Sequence, residues 1–268
     1  MYDFLMLFLM FWIFSFCGWL IETIGMSFIS KKFVSRGFLI GPYCPVYGVG
    51  ALAMMLFLKK YLDDPITLFF MAVIVTSFVE YMTSYIMEKI FKARWWDYSH
   101  AKFNLNGRVC LINSLGFGVL GLLLLYVIEP FLTNLLLNLK PWLMMSISTI
   151  LLIIFIIDFI VSFNIVLKIK NNTRFIKKDN TEEITKKVRY TLSNQLHLTK
   201  RILKAFPKYK PLNSNISITN LRQALERLEI EQKQKKLNLK EKRNNLKINR
   251  KKEKLKQKSK ELKRKKAD

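Results

Sequence analysis

Histidine, cysteine and any phosphate-binding loop are what this 268-residue chain most lacks. With only His100 and His197 there is almost no material for a histidine-based metal site, and no cofactor is expected. Cys17, Cys44 and Cys110 are odd in number and lie in or beside apolar runs, so they read as small apolar side chains and not as a disulfide framework. No Gly-x-x-x-x-Gly-Lys-Ser/Thr segment occurs, so any ATPase acting with this chain is expected to be another polypeptide. Aromatics end at Tyr209, which leaves the last part of the chain without the stacking platform of single-strand nucleic-acid binders. Lys and Arg are absent from Met1-Tyr2-Asp3, and no small-residue cleavage site follows the first apolar run, which argues against a cleaved signal peptide.

What is present falls into two unlike parts. Residues 168–268 hold 33 Lys/Arg and 10 Asp/Glu, whereas residues 1–167 hold 11 and 9, so nearly all of the net charge of +25 sits in the C-terminal part. The first part is rich in Phe, Leu, Ile and Met. The sequence therefore predicts an all-α protein: a polytopic membrane helix bundle over 1–167, followed by a basic, helical and partly disordered cytoplasmic tail over 168–268.

A helix needs about 20 apolar residues to cross the hydrocarbon core. Runs at 4–29, 66–88, 109–128 and 142–167 meet that demand. A fifth, at 45–62, is shorter and follows Gly41-Pro42 and Pro45, so by itself it reads equally as a broken or re-entrant segment. Counted as a span, it makes the charges coherent. The connections Ser30–Cys44, Lys59–Pro65, Lys89–Arg108 and Glu129–Pro141 then carry 3, 2, 5 and 1 Lys/Arg, rich alternating with poor. Positive residues stay on the cytoplasmic side. Five transmembrane helices in the cell (cytoplasmic) membrane, N-terminus outside and C-terminus inside, is the expectation.

Ionisable residues within spans are costly and call for partners. In the five-span arrangement Glu22, Glu80, Glu88, Tyr47, Asn113 and Ser114 gather at the cytoplasmic end, beside Arg36 and Arg108 in the two inner loops. Ser77, Glu80, Ser84 and Glu88 share one helix face. Glu22 and Glu80 are expected to pair with Arg36 or Arg108 and to line a pocket open to the cytoplasm; solvated interfacial carboxylates are the plain alternative, above all for Glu88. Asp158 lies deep in the last span without an evident mate; Asn164, another span or an oligomer contact are all open.

The first inner loop, Arg36 to Gly48, holds three Gly and two Pro and so fixes an irregular backbone. At membrane depth such backbone is tolerated only where protein covers it or it lines a wet cavity. The second, Trp95-Trp96-Asp97-Tyr98-Ser99 followed by Phe103-Asn104-Leu105-Asn106-Gly107-Arg108, combines headgroup-layer aromatics with the hydrogen-bonding groups of Asp97, Asn104 and Arg108.

The ordered set Gly18-Trp19-x-x-Glu22, Arg36-Gly37-x-x-x-Gly41-Pro42, Pro45-x-Tyr47-Gly48, Glu80, Trp96-Asp97-Tyr98 and Asn106-Gly107-Arg108 resembles the family called putative ABC-transporter type IV, or CmpB-like, over about residues 4–130. The resemblance implies an integral membrane protein with a permease-like role. It carries over Glu22, Arg36, Gly41, Pro42, Tyr47, Glu80, Trp96, Asp97, Tyr98 and Arg108 without assigning their chemistry; with Asn104 and Asn113 they are the candidate substrate or ion pocket.

In the tail, apolar residues from Ile184 to Leu203 alternate with Lys and Arg, which predicts an amphipathic helix over 181–206 lying on anionic lipid. After Pro207 and Pro211, a long charged helix or weak coiled coil is expected over 217–266, disordered at its extreme end. Three functional classes are consistent with the whole. The favoured one is a transport component for an unknown substrate. The others are a membrane enzyme acting on lipid or polyprenyl-phosphate headgroups, with Arg36 and Arg108 on the phosphate, and a non-catalytic scaffold acting through its tail. Partners expected are the lipid bilayer, anionic lipids at the tail, and a second copy or a separate protein; for nucleic acid only non-specific phosphate attraction is left.

Overall fold

A computed structural model describes residues 4–175 and, beyond them, 201, 202, 205, 206, 210, 211, 230, 234, 237, 238 and 241, with backbone alone for 168–175, 210 and 211. Among the residues described continuously, 4–175, six α-helices follow in chain order: α1 (Phe4–Ser30), α2 (Pro45–Phe57), α3 (Pro65–Phe91), α4 (Leu111–Leu123), α5 (Glu129–Leu137) and α6 (Pro141–Phe175). Four two-residue strands accompany them: β1 (Ala93–Arg94), β2 (Asn104–Leu105), β3 (Val109–Cys110) and β4 (Lys210–Pro211).

Among the described residues four helical stretches are long and apolar enough to cross a membrane: Phe4–Ser30, Pro65–Phe91, Leu111–Leu137 and Pro141–Leu167. The fifth span expected at 45–62 is corrected. Its helix is α2, only 13 residues long, or about 20 Å at 1.5 Å per residue, against a hydrocarbon core of about 30 Å. The reason lies in the preceding loop. Its backbone returns from the end of α1 to the middle of that helix, where the Cys44 N–H donates to the Ser15 carbonyl at 2.9 Å. From that depth α2 runs antiparallel to α1, and Leu58 joins Met6, Leu9 and Met10 in the core at the opposite end. The chain thus still passes between the two ends of the bundle at this point, half as irregular backbone and half as helix.

Close approach of α1 and α2 depends on glycine. A Cβ on Gly18 would run into the Tyr47 ring, and one on Gly48 into Phe11 and Ser15. In a membrane such small-residue contacts replace the hydrophobic effect as the source of helix association, because lipid tails are as apolar as the core. Large apolar side chains such as Phe28, Ile74, Phe78 and Ile157 point outward and are exposed, as lipid-facing residues would be.

The expected connection at Glu129–Pro141 is also mostly helix. A π-turn at Leu124–Ile128 links α4 to α5, and Pro130 supplies a cause, because it offers no N–H to the carbonyl four residues before it. Glu129 is consequently buried inside the bundle, where it pairs with Lys59 at 3.0 Å and accepts from the Thr133 hydroxyl at 2.8 Å.

The loop after α3 is a small hairpin, β2 pairing antiparallel with β3. Its turn is Asn106-Gly107, both at positive φ (53° and 68°), as a type I′ turn requires. The turn brings Arg108 back inward to 8% exposure.

By contacts the chain divides into two compact units, Met1–Ile218 and Thr219–Asp268. The first takes in tail residues beyond 167: β4 pairs antiparallel with β1, and Ile202, Ala205 and Phe206 are buried. In the second, Ile230, Gln234, Leu237, Asn238 and Glu241 are helical and exposed. Most of the expected helices at 181–206 and 217–266, and the disorder expected at the end, lie outside the described residues.

Candidate functional site

The polar side chains singled out from the sequence collect at the tail-bearing end of the bundle, in two adjoining groups. The first is built on α1, the re-entrant loop, α2, α3 and α4. Arg36 Nε donates to Glu22 Oε2 at 2.9 Å, and the Tyr47 hydroxyl donates to Glu22 Oε1 at 2.8 Å. Both Glu22 oxygens are thus engaged. Thr23 fixes the loop from below by accepting the Arg36 backbone N–H at 3.2 Å.

Glu80 joins this group from α3 and departs from expectation. Among the described residues it has no ion-pair partner, and its Oε2 is fully buried without a hydrogen bond. The groups that act on it electrostatically are the Tyr98 phenol, itself influenced by Asn113, and the Glu22 carboxylate. Burial, with the adjacent Glu80 carboxylate, pushes the Tyr98 phenol above its ordinary range, so Tyr98 stays a neutral donor.

Arg108, the other expected mate, is taken by Glu88. The Arg108 Nη1 lies 2.9 Å from Glu88 Oε2 and 3.4 Å from the Ser84 hydroxyl, and its guanidinium carbon sits 5.5 and 5.4 Å from the Tyr81 and Tyr85 rings. Arg94 approaches the same Glu88 oxygen at 3.3 Å and Asp97 at 3.8 Å. Glu88 is therefore a paired group and not a merely solvated one. The helix face foreseen for Ser77, Glu80, Ser84 and Glu88 is realised: Ser77 donates to Ser114 on α4 at 2.8 Å, while Ser84 and Glu88 meet Arg108.

Other candidates shape the loop and stand apart from Glu80. Trp96 Nε1 donates to the Arg108 carbonyl at 2.9 Å. Asn104 accepts from the Gly107 N–H at 2.9 Å and donates to the Ala101 carbonyl at 2.8 Å, which sets the hairpin. Asp97 accepts from the Ser99 N–H at 2.9 Å and from its hydroxyl; these bonds, with Arg94 nearby, hold its carboxyl below the usual range. Trp95 is 3% exposed, so its ring packs inside the protein and is not presented to the surroundings. Pro42 is exposed.

Asp158 is the group that sequence reasoning left without a partner. It accepts from the backbone N–H of Ile40 at 2.8 Å and of Gly41 at 2.7 Å, from the Tyr43 hydroxyl at 2.5 Å and from Ser162 at 2.9 Å. One buried carboxylate thereby satisfies the backbone of the re-entrant loop, which no helix or sheet could do. The available signal was the coincidence of an intramembrane Asp with a Gly/Pro-rich loop in need of acceptors. No group of three or more His, Cys, Asp or Glu suited to a metal ion occurs among the described residues.

Comparison with curated proteins and with solved structures gave no match. A family model described as putative ABC-transporter type IV matches residues 9–163, which take in α2 to α5 whole, most of α1 and α6, and the polar side chains of both groups. The chain belongs to the putative ABC-transporter type IV family.

Proposed function

We propose that this protein is the membrane-embedded component of a transport system, and that its tail-bearing end holds a small cationic cargo, a proton or an organic or inorganic monovalent cation, at Glu80. The observation that carries this reading is an imbalance of charge. The guanidiniums of the two loops at this end already have carboxylates: Arg36 has Glu22, and Arg94 and Arg108 share Glu88, with Asp97 beside Arg94, while Arg201 of the tail is bonded to the Phe38 carbonyl. Glu80 is the carboxylate left over. An unpaired intramembrane carboxylate is costly unless a proton or cation accompanies it. The Tyr98 phenol, with the Asn113 amide next to it, provides neutral oxygens near that position.

The same pairing argues against headgroup phosphate as the ligand, because Arg36 and Arg108 are already neutralised. Orientation follows from the connections. Those at the tail-bearing end carry Lys31, Lys32, Arg36, Lys89, Lys92, Arg94, Lys102 and Arg108, and those at the other end Lys59, Lys60 and Lys140. By the positive-inside rule the site opens to the cytoplasm of a cell membrane. The test is uptake of labelled monovalent cations and small amines into liposomes containing the purified protein. Uptake by the natural chain that Glu80→Gln abolishes and Glu88→Gln spares supports the proposal; equal uptake by natural chain and Glu80→Gln refutes it.

A further inference from the structure

The tail segment reaches the site at Arg36. Ile202, Ala205 and Phe206 are 1%, 0% and 6% exposed. Arg201, Ile202 and Ala205 are helical, and the Phe206 N–H donates to the Ile202 carbonyl at 3.0 Å. The last carbonyls of a helical turn have no partner within it and carry partial negative charge. Here the Ala205 carbonyl accepts from Arg36 Nη1, while the Phe206 ring lies 5.3 Å from the Arg36 guanidinium carbon. Arg36 is thereby clasped between Glu22 of α1 and the tail.

Three further contacts make this a docked element. Arg201 Nη2 donates to the Phe38 carbonyl at 3.2 Å, so the tail also pins the re-entrant loop. The Phe206 ring meets Trp95 edge-to-face at 4.8 Å, an arrangement aromatic pairs prefer. Lys210 and Pro211 then pair with Arg94 and Ala93, and Arg94 is itself bonded to Glu88. The segment therefore touches both polar groups through their arginines. Cys44, 6% exposed, lies against Gly37 next to Arg36, and its thiol is within electrostatic range of Glu22, Arg36 and Arg201 of the tail.

We infer that Arg201, Ile202, Ala205, Phe206, Lys210 and Pro211 belong to a latch: a piece of the chain's own tail that closes the loop side of the site by clasping Arg36 and Phe38, and that must lift for the loop carrying Arg36 and Cys44 to open on the tail-bearing side. Its regulatory meaning rests on the transport reading above, but the latch itself is read out with no cargo present.

Cys44 is the reporter. In the full chain carrying Cys17→Ala and Cys110→Ala, the rate of Cys44 alkylation by N-ethylmaleimide is measured in lipid nanodiscs. Phe206→Ala and Arg201→Ala are expected to raise it about tenfold or more, as removal of protecting contacts does for a local opening equilibrium, with Phe206→Tyr close to the parent. Unfolding midpoints of the same samples separate lifting of the latch from loss of the fold. A parent-like rate in a folded Phe206→Ala chain overturns the inference. Independently, an Ala93→Cys, Pro211→Cys pair in a chain without Cys17, Cys44 and Cys110 should cross-link under mild oxidation; failure to cross-link also overturns it.

Discussion

Asp158 of α6 and Gly41 of the re-entrant loop are 117 residues apart in sequence, and the Gly41 N–H donates to the Asp158 carboxylate at 2.7 Å. The neighbouring Ile40 N–H uses the other oxygen at 2.8 Å. The loop can therefore sit at the depth of Ser15 without leaving its peptide groups bare in a medium that offers no water.

Asp158→Ala should accordingly cost several hydrogen bonds at once. At about 1.5–3 kcal/mol for each bond to a charged acceptor, and with partial relaxation, a loss of about 3 kcal/mol is expected. Asp158→Asn keeps one acceptor and should fall between. Thermal unfolding of the purified variants checks the order: natural chain, then Asn, then Ala.

At the far end, Glu129 is 4% exposed while the Lys59 side chain opposite it is 39% exposed. Removing one partner of a fully buried pair costs about 3–5 kcal/mol, and an exposed pair is worth at most about 1. Glu129→Ala should lie between, near about 2 kcal/mol, and Glu129→Gln should cost less because the Thr133 contact has a substitute acceptor. Denaturant midpoints of the two variants measure the difference.

Gly18→Ala tests helix packing. The added methyl meets the Tyr47 ring, so α2 must move or Tyr47 must leave Glu22, at an expected cost of about 1–3 kcal/mol. Alanine favours an isolated helix over glycine; an unchanged or raised unfolding midpoint would therefore contradict the close approach of α1 and α2.

Asp97 gives a pH dependence with a definite sign. Its carboxyl is held below the usual range by the Ser99 hydroxyl and N–H and by Arg94. A depressed folded-state pKa contributes stability above the unfolded value of about 3.9, lost as pH falls through the folded value. Asp97→Asn should therefore be less stable than the natural chain at pH 7, by less than about 1 kcal/mol given solvent screening at this loop. The two should converge as the pH falls through the unfolded value and then the lower folded one. Unfolding midpoints followed from pH 7 into the acid range show whether the gap closes.

The parts of the fold that follow from local composition were legible in the sequence. Runs of Phe, Leu and Ile mark the four long helices; of the pairing expected between Glu22 and Glu80 and Arg36 or Arg108, only Glu22 with Arg36 is formed. The short α2 was legible only as an alternative, because apolar length could not say where the chain re-enters the bundle; the Cys44–Ser15 bond does. Asn106-Gly107 carried a turn signal that was passed over beside so many helices, and with it the inward placement of Arg108. The exchange of partners that gives Arg108 to Glu88 and leaves Glu80 alone depends on that hairpin, so side-chain type and helical spacing could not reveal it. The docking of Phe206 on Trp95 joins residues far apart in sequence and had no local signature.

The most direct measurement is titration of the purified protein with small cations, followed by intrinsic tryptophan fluorescence at constant ionic strength with N-methylglucamine as the inert salt. Trp95 and Trp96 lie on the loop that carries Tyr98, so occupation of the site should reach them. The account predicts a saturable response to protons or to at least one of sodium, potassium, ammonium and methylammonium, lost in Glu80→Gln and kept in Glu88→Gln. An unchanged response in Glu80→Gln, or no saturable response in the natural chain, would contradict it.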